Sequence, residues 1–535
     1  MSDTPPVTAS GRLDRGVLVV SAVVVVGAFM SILDTTIVNV ALATLSRKLH
    51  SPLHTIQWVA TGYLVALAVV IPITGWASER LGAKKLWLLV VALFTVGSAL
   101  CGTAWSAGSL TFFRVLQGLG GGMIMPAGMT ILAQTAGPRR LGRVMSVVGV
   151  PAVLAPVAGP VLGGFILQDL SWRWIFYVNV PIGVLALVLG LRLLPDSEAK
   201  RSEPLDVRGL ALLSPGLAAI VYGLSEISGK GGIGYVGAWL PILVGVGLVT
   251  AFTYHALHIS GRRPLLDVRL FRLPAFAASA VTVMLIGSVV FGVMLVLPLY
   301  FQIARGASTL TTGLLLAPQG FGAALVIPIS GRLADRVGGG IVSVAGLLVM
   351  TAATIPLTML SAHTPGEATS LILFFRGVGL GCSMMPAMTA GYATVTRADI
   401  PQATTILNVF QRVGGSIGTA LLSVVLEHQV NANLPGVPGL AGGSVRVLPA
   451  AVRAQIATPL AHAFDSTFWW AVGMTALATV PALVLAAKTP RGALEGAGGE
   501  RESLRGQDGA TVYELKAGAG SPKPDQEDSR SRLAS

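Results

Sequence analysis

The chain has 535 residues, 53% of them hydrophobic and only 11% charged, with a mean hydropathy of +0.74. A soluble protein carries about 25% charged residues to hydrate its surface, so this composition excludes a water-soluble enzyme, a disulfide-stapled secreted module and a disordered chain. The net charge of +13 is spread along the sequence instead of gathered on one domain, which argues against a nucleic-acid partner.

In chain order, a polar N-terminal segment (1–15) leads into an apolar run that continues through Asp34 without a cleavage site, unlike a signal peptide. Apolar stretches of about 20 residues are candidate membrane-spanning helices. They fall near 16–42, 54–77, 86–105, 108–134, 143–167, 174–194, 207–227, 234–258, 275–302, 309–331, 341–361, 368–393, 402–426 and 467–487, fourteen in all. The pair at 207–258 is the weakest, being Gly-rich and interrupted by Glu226 and Lys230. Residues 428–466 read as one long outer loop, within which AAVRAQIATPLAHAF has the composition of an amphipathic interfacial helix. Residues 488–535, rich in Gly, Ser and charge, read as a disordered tail. Cys101 and Cys382 both lie in apolar runs, with neither a disulfide framework nor zinc-like spacing.

An even number of spans puts both termini on one side, and Lys and Arg mark the cytoplasmic face. With the N-terminus inside, most of the basic residues fall in inner loops and in the tail, whereas Arg114, Arg376 and Arg412 lie inside spans. Both termini are therefore expected in the cytoplasm of a multi-pass cell-membrane protein.

The sequence repeats itself. VIPITGWASERLG (70–82) returns as VIPISGRLADRVG (326–338), and FFRVLQGLGGGMIMPA (112–127) returns as FFRGVGLGCSMMPA (374–387). The offset between copies corresponds to eight spans at about 32 residues each, where two directly joined six-helix halves give six. Two extra helices are thus inserted between the halves. The expected fold is an all-α polytopic membrane protein with two six-helix bundles, 16–194 and 261–487, joined by a linker (195–260) carrying two inserted helices. Parallel repeats about an axis along the membrane normal are the build of major facilitator transporters, which handle substrate between the halves.

Asp34, in FMSILDTTIVNVAL, is the acidic residue deepest in a strongly apolar span. Such a charge costs several kcal/mol unless paired, hydrated or neutralised. A carboxyl whose surroundings alternate between wet and dry can take up and release a proton, as a proton-coupled transporter requires. The competing reading is a structural carboxylate held permanently by an Arg such as Arg114. Arg114 itself, with Gln117 and Gly118 in RVLQGLGGG, either tunes that acid or bonds backbone carbonyls at a helix crossing.

In the loop after the second span, Gly75 and Gly82 permit tight turns while Glu79, Arg80 and Lys84 supply charge. Gly331, Asp335 and Arg336 repeat the pattern in the second half. The repetition favours a gate latch over a merely topogenic basic turn. GVPAVLAPVAGPVLGG places Gly149, Pro151, Pro156, Gly159, Pro160, Gly163 and Gly164 in one span, which marks a tightly packed hinge or seam. Met123, Met125, Met129, Met384, Met385 and Met388 suit either a core or a pocket accepting many shapes. Met123, Met125 and Met385, with Gln319 and Arg412, are the candidate pocket residues. His255 and His258, at i and i+3, are either metal ligands or polar residues at the interface. No metal-ligand cluster, nucleophile with a nearby base or phosphate loop appears, so an enzyme is not expected.

These residues resemble the fourteen-helix drug:proton antiporter family of the major facilitator superfamily, the EmrB/QacA type. The matches are LDTTIVNVAL, QWVATGYLVALA, GWASERLGAKK (with Glu79 where Asp is usual), RVLQGLGGG, the 149–164 motif, WRWIFYVNVPIG and RPLLDVRLFR, across about residues 16–487. The resemblance implies export of hydrophobic, often cationic drugs driven by proton entry, without a cofactor. It associates the 149–164 helix with antiport, and makes a periplasmic adaptor protein a candidate partner besides substrate, protons and the bilayer. A dedicated exporter of one endogenous metabolite, lipid precursor or antibiotic is the alternative.

Overall fold

Inside a bilayer there is no water to satisfy backbone donors and acceptors, so an apolar run must close its hydrogen bonds within itself. The computed structural model describes residues 15–136, 144, 155, 158–159, 161–196, 204–230, 236–259, 264–360, 364–396, 399–433 and 450–488. These belong to one unit, Met1–Thr489, and the remaining unit, Pro490–Ser535, lies outside the described residues. The protein is all-α, and among the described residues thirteen helices are long and apolar enough to cross a membrane. In chain order we label α1 (Arg15–Lys48), α2 (Leu53–Val70), α3 (Thr74–Leu81), α4 (Ala83–Gly102), α5 (Ala107–Ala136), α6 (Asn179–Leu193), α7 (Val207–Lys230) and α8 (Val236–His258). There follow α9 (Pro274–Leu299), α10 (Thr309–Val337), α11 (Gly339–Thr354), α12 (Gly366–Tyr392), α13 (Ile400–Asn433) and α14 (Ala450–Lys488). The fifth expected span, 143–167, falls largely outside the described residues, although 161–169 are helical.

Local sequence explains the interruptions. Pro72 lacks a backbone donor, and a 3₁₀ turn at Ile71–Ile73 separates α2 from α3 within one span. Gly82 (φ 81°) and Gly338 (φ 95°) turn the chain sharply into α4 and α11, in a backbone region that residues with a Cβ rarely adopt. The same turn thus serves both halves. Past Pro298, α9 ends in a π-helical turn, Tyr300–Ala304.

One sequence expectation is corrected. The 428–466 segment is not one long loop with a separate surface helix: α13 runs on to Asn433, and α14 is continuous from Ala450 through the last span to Lys488. Composition alone suggested an amphipathic piece, yet nothing between Pro459 and Phe468 stops a helix, so its turns simply continue into the span.

The repeat is visible in the packing. In the first half α5 lies against α2 and α4; in the second, α12 lies against α10 and α11 in the same way. Trp87 is fully buried where Gly27 and Gly190, from α1 and α6, leave room for its ring. On α9 and α13, Gly287, Gly292, Gly414 and Gly418 bring the two backbones together, so that a Cβ at Gly287 would stand 2.6 Å from the Gln411 carbonyl oxygen. Small residues of this kind are how helices gain close packing where lipid supplies no hydrophobic drive.

The linker helices α7 and α8 pack on each other, and α7 also touches α2 and α13, one from each half. Exposed Leu240, Leu243 and Val244 give α8 a lipid-facing surface. At the linker's base the buried Asp206 carboxylate accepts hydrogen bonds from the backbone of Gly209 (2.8 Å) and Leu265 (3.3 Å), and pairs with His255 Nε2 at 3.0 Å. We expect Gly418→Leu, which drives a side chain into the Ser288 carbonyl, to cost about 3 kcal/mol or more. A lowered melting temperature of the purified protein in detergent checks this, with Gly473→Leu, which faces open space, as the tolerated control.

Candidate functional site

Five elements of the first half converge on one buried carboxylate. Asp34 on α1 is 0% exposed, and its Oδ2 accepts a 2.6 Å hydrogen bond from Arg114 Nη1 on α5. Its Oδ1 accepts from Gln117 Nε2, one turn beyond Arg114, and from Asn179 Nδ2 on α6, each at 2.9 Å. Asn179 also donates to Ser98 Oγ on α4 (3.1 Å), and Ser98 donates to the Phe176 carbonyl (2.9 Å). From α2, the Val59 carbonyl accepts from Arg114 Nε (3.2 Å), and the Tyr63 ring lies 3.9 Å under the guanidinium. Arg114 completes its set with Gln117 Oε1 at 2.8 Å. An ionised pair survives burial better when its remaining groups are also engaged, and here both carboxylate oxygens and the Nε and Nη1 of the guanidinium are. Asp34 is thus deeply buried and paired to Arg114, the partner that the structural reading of this residue named.

The counterpart in the second half is different. Arg376, in the repeat position of Arg114, is 1% exposed and donates from Nη1 to Gln319 Oε1 at 2.9 Å. Its Nε and Nη2 have no partner among the described residues. Gln319 holds the place that Tyr63 occupies in the first copy, and no carboxylate stands where Asp34 does.

The halves meet through α13. Gly75 sits against Pro401, Gln402 and Thr405, so that a Cβ there would reach the Thr405 hydroxyl at 3.4 Å. Met129 Sδ, on α5, lies 3.8 Å from Asn408 Nδ2 and 4.0 Å from the Tyr392 hydroxyl. These contacts lie toward the ends that carry the basic loops. One turn beyond Asn408, Arg412 is half-buried.

The sequence pattern of the Major Facilitator Superfamily matches residues 24–419. The chain belongs to that superfamily. Over 494 residues it is 38% identical to a protein named multidrug resistance protein B homolog from Mycobacterium tuberculosis, covering 89% of this chain and 91% of that one. It is 32% identical over 429 residues to the tetracenomycin C resistance and export protein of Streptomyces glaucescens, covering 77% and 76% of the two chains. Among solved structures, the proton:xylose symporter XylE matches the fold with a TM-score of 0.58 at 15% identity, over 87% of this chain and 94% of that one. The chain is a multi-pass membrane transporter and not an enzyme.

The other candidate residues of this major facilitator transporter are placed as follows. Gly82 makes its turn as expected, and Gly331 is buried. Arg80 and Arg336 are exposed, while Glu79 and Asp335 are half-buried. Lys84 pairs with Asp196 at 2.8 Å, joining the first turn of α4 to the segment just after α6, and the ammonium holds the Asp196 carboxyl below its usual range. In the 149–164 motif, Gly149, Pro151, Pro156 and Pro160 lie outside the described residues. Gly159 abuts Thr36 on α1, and the Thr36 hydroxyl stands 3.4 Å from the Ala155 carbonyl, so this helix seams against α1. Gly163 is buried, but Gly164 faces open space and takes no part in close packing. Gly118 fits under Tyr63 and Ala66 of α2, where a Cβ would come within 2.8 Å of both. Met123 and Met125 are half-buried, Met385 is buried, and Gln319 is occupied by Arg376. His255 is engaged by Asp206, His258 by the Tyr254 carbonyl, and no metal-ligand group occurs among the described residues.

Asn179, Ser98 and Tyr63 escaped the sequence reading. Asn179 stood within a motif read only as a family signature. A polar residue in an apolar span beside a deep acid is the signal that points to it. Removing one partner of a buried pair leaves an uncompensated charge, which costs about 3–5 kcal/mol. Arg114→Met is therefore expected to destabilise strongly, and the double variant Asp34→Asn, Arg114→Gln to recover most of the loss, as read by thermal melting in detergent.

Proposed function

We propose that this transporter exports hydrophobic drug-like compounds in exchange for protons, with Asp34 as the proton-carrying group. The observation that carries the reading is the sealed carboxylate: 0% exposed, bonded to Arg114, Gln117 and Asn179, and tied through them to α4, α5 and α6. A proton arriving on Asp34 removes the negative charge that balances Arg114. The guanidinium then retains only neutral acceptors, Gln117 Oε1 and the Val59 carbonyl, in a low-dielectric surrounding. An arrangement that rehydrates Arg114 becomes favoured, and α2, α5 and α6 move with it. Deprotonation restores the pair and the sealed state. A two-state element biased by protonation is what coupling requires.

Contacts between the halves at Gly75, Met129 and α13 lie on the basic side. With the termini in the cytoplasm, as the basic loops suggest, that side is the inner one, and the arrangement opens outward. Names carried by similar proteins, a multidrug resistance protein and an antibiotic resistance and export protein, support export over import. The second of these also favours a narrower reading, a dedicated exporter of one antibiotic-like product.

In proteoliposomes holding the purified protein, Asp34→Asn is expected to reduce ΔpH-driven movement of a panel of lipophilic dyes to the level of empty vesicles. Substrate counterflow without a gradient should persist. Full ΔpH-driven movement in that variant would remove Asp34 from the coupling step. Mutual competition among unrelated compounds separates a broad exporter from a dedicated one.

A further inference from the structure

We infer that Arg412 is a recognition group for an anionic substituent on the transported compound, so that the export proposed above favours acidic lipophilic molecules over lipophilic cations. The argument begins with one face of α13. Pro401, Thr405 and Asn408 follow at helical spacing and all meet the first half, through Gly75 and Met129. They are buried, with Thr405 at 0% and Asn408 at 5% exposure. Arg412 is the next position on that face, and it is half-buried. Within a single turn the interface therefore changes from closed to partly open, and the first side chain at the opening is a guanidinium.

That guanidinium is unspent. Among the described residues it has no hydrogen-bond or ion-pair partner. The carboxylate behind Tyr63 offers no relief, since Asp34 is sealed and already accepts from Arg114, Gln117 and Asn179. Arg376 adds a second uncompensated cation in the same half, with one neutral acceptor and two idle nitrogens. The remaining acids of the described spans stand toward span ends: Glu79, Glu226, Asp335, Glu367 and Glu427 near helix ends, and Asp465 near the start of the span Pro459–Lys488.

The central region thus carries one neutralised ion pair and two positive charges in excess. Water-poor surroundings magnify such charge. A permanent cation entering here meets repulsion and finds no free carboxylate. A molecule with a carboxylate, sulfonate or phenolate finds a planar donor fork of the kind that binds these groups in bidentate fashion. Its apolar body remains free to vary, as broad export demands.

Fluorescein and rhodamine 123 share a xanthene frame but carry opposite charge, which makes them a matched pair. Fluorescence polarisation with the purified full-length protein in lipid nanodiscs reads their affinities without any proton gradient. The wild-type protein should bind fluorescein at least about tenfold more tightly than rhodamine 123. Arg412→Gln should erase that preference by weakening fluorescein, whereas Arg412→Lys, which keeps the charge, should retain most of it. Equal or tighter binding of rhodamine 123 by the wild type overturns the inference even if the variants do not fold. So does failure of fluorescein to bind, or an Arg412→Gln variant that weakens both dyes alike, which would assign Arg412 to the conformational cycle instead. Absence of ΔpH-driven transport, by contrast, defeats the export reading and leaves the measured charge preference intact.

Discussion

A single ion pair, Asp34 with Arg114, organises the first half of the protein. It sits where hydrocarbon-like packing makes an isolated charge intolerable, so every neighbouring helix supplies a polar group or a ring. Gln117 and Asn179 saturate the carboxylate, Val59 and Tyr63 attend the guanidinium, and Ser98 holds Asn179 in place. Each partner restricts where its own helix can lie. Position of α1 relative to α5 is set by a 2.6 Å bond between their deepest side chains, and the relation is conditional on the charge of one oxygen pair. On the proposed coupling, a proton on that carboxylate would loosen the tie, which packing made of methyl groups alone could not do.

Duplication supplied the architecture, and divergence then separated the chemistry of the two copies. Both retain the glycine turn (Gly82, Gly338), the central helix packed on two neighbours, and an arginine at the same place, Arg114 or Arg376. Only the first copy gives that arginine an acid. The second places Gln319 beside it and adds Arg412 on the face that approaches the first half. On the proposals above, proton handling and cargo handling reside in different halves.

The fold was legible in the sequence because lipid leaves the chain few options. Apolar runs of sufficient length must be helices, and the paired motifs at 70–82 and 326–338 betray the duplication without any structural knowledge. Asp34, Arg114 and Gln117 were legible for a related reason: a polar residue in such a run needs an explanation. Asn179, which bonds Asp34, and Ser98, which bonds Asn179, were not legible, since they lie 145 and 64 positions from Asp34 in sequence and join its network only through tertiary packing. Helix ends were also poorly marked. Pro459 and a charged Asp465 look like loop material, but α14 absorbs both. The glycine-rich 149–164 segment illustrates a further limit, because composition predicts close packing for Gly159 and Gly164 alike, whereas only Gly159 meets a neighbour.

The seating of α7 has a mechanical consequence. It contacts α2 through directional groups, a Ser214 hydroxyl bonded to the Val69 carbonyl at 2.6 Å and Tyr222 stacked on Trp58. Against α13 it lays Leu224 and Ile227 over Ala420 and Val424. The inserted helix thus ties the two halves together on one flank and covers the seam between α2 and α13, so lipid reaches that seam only past α7.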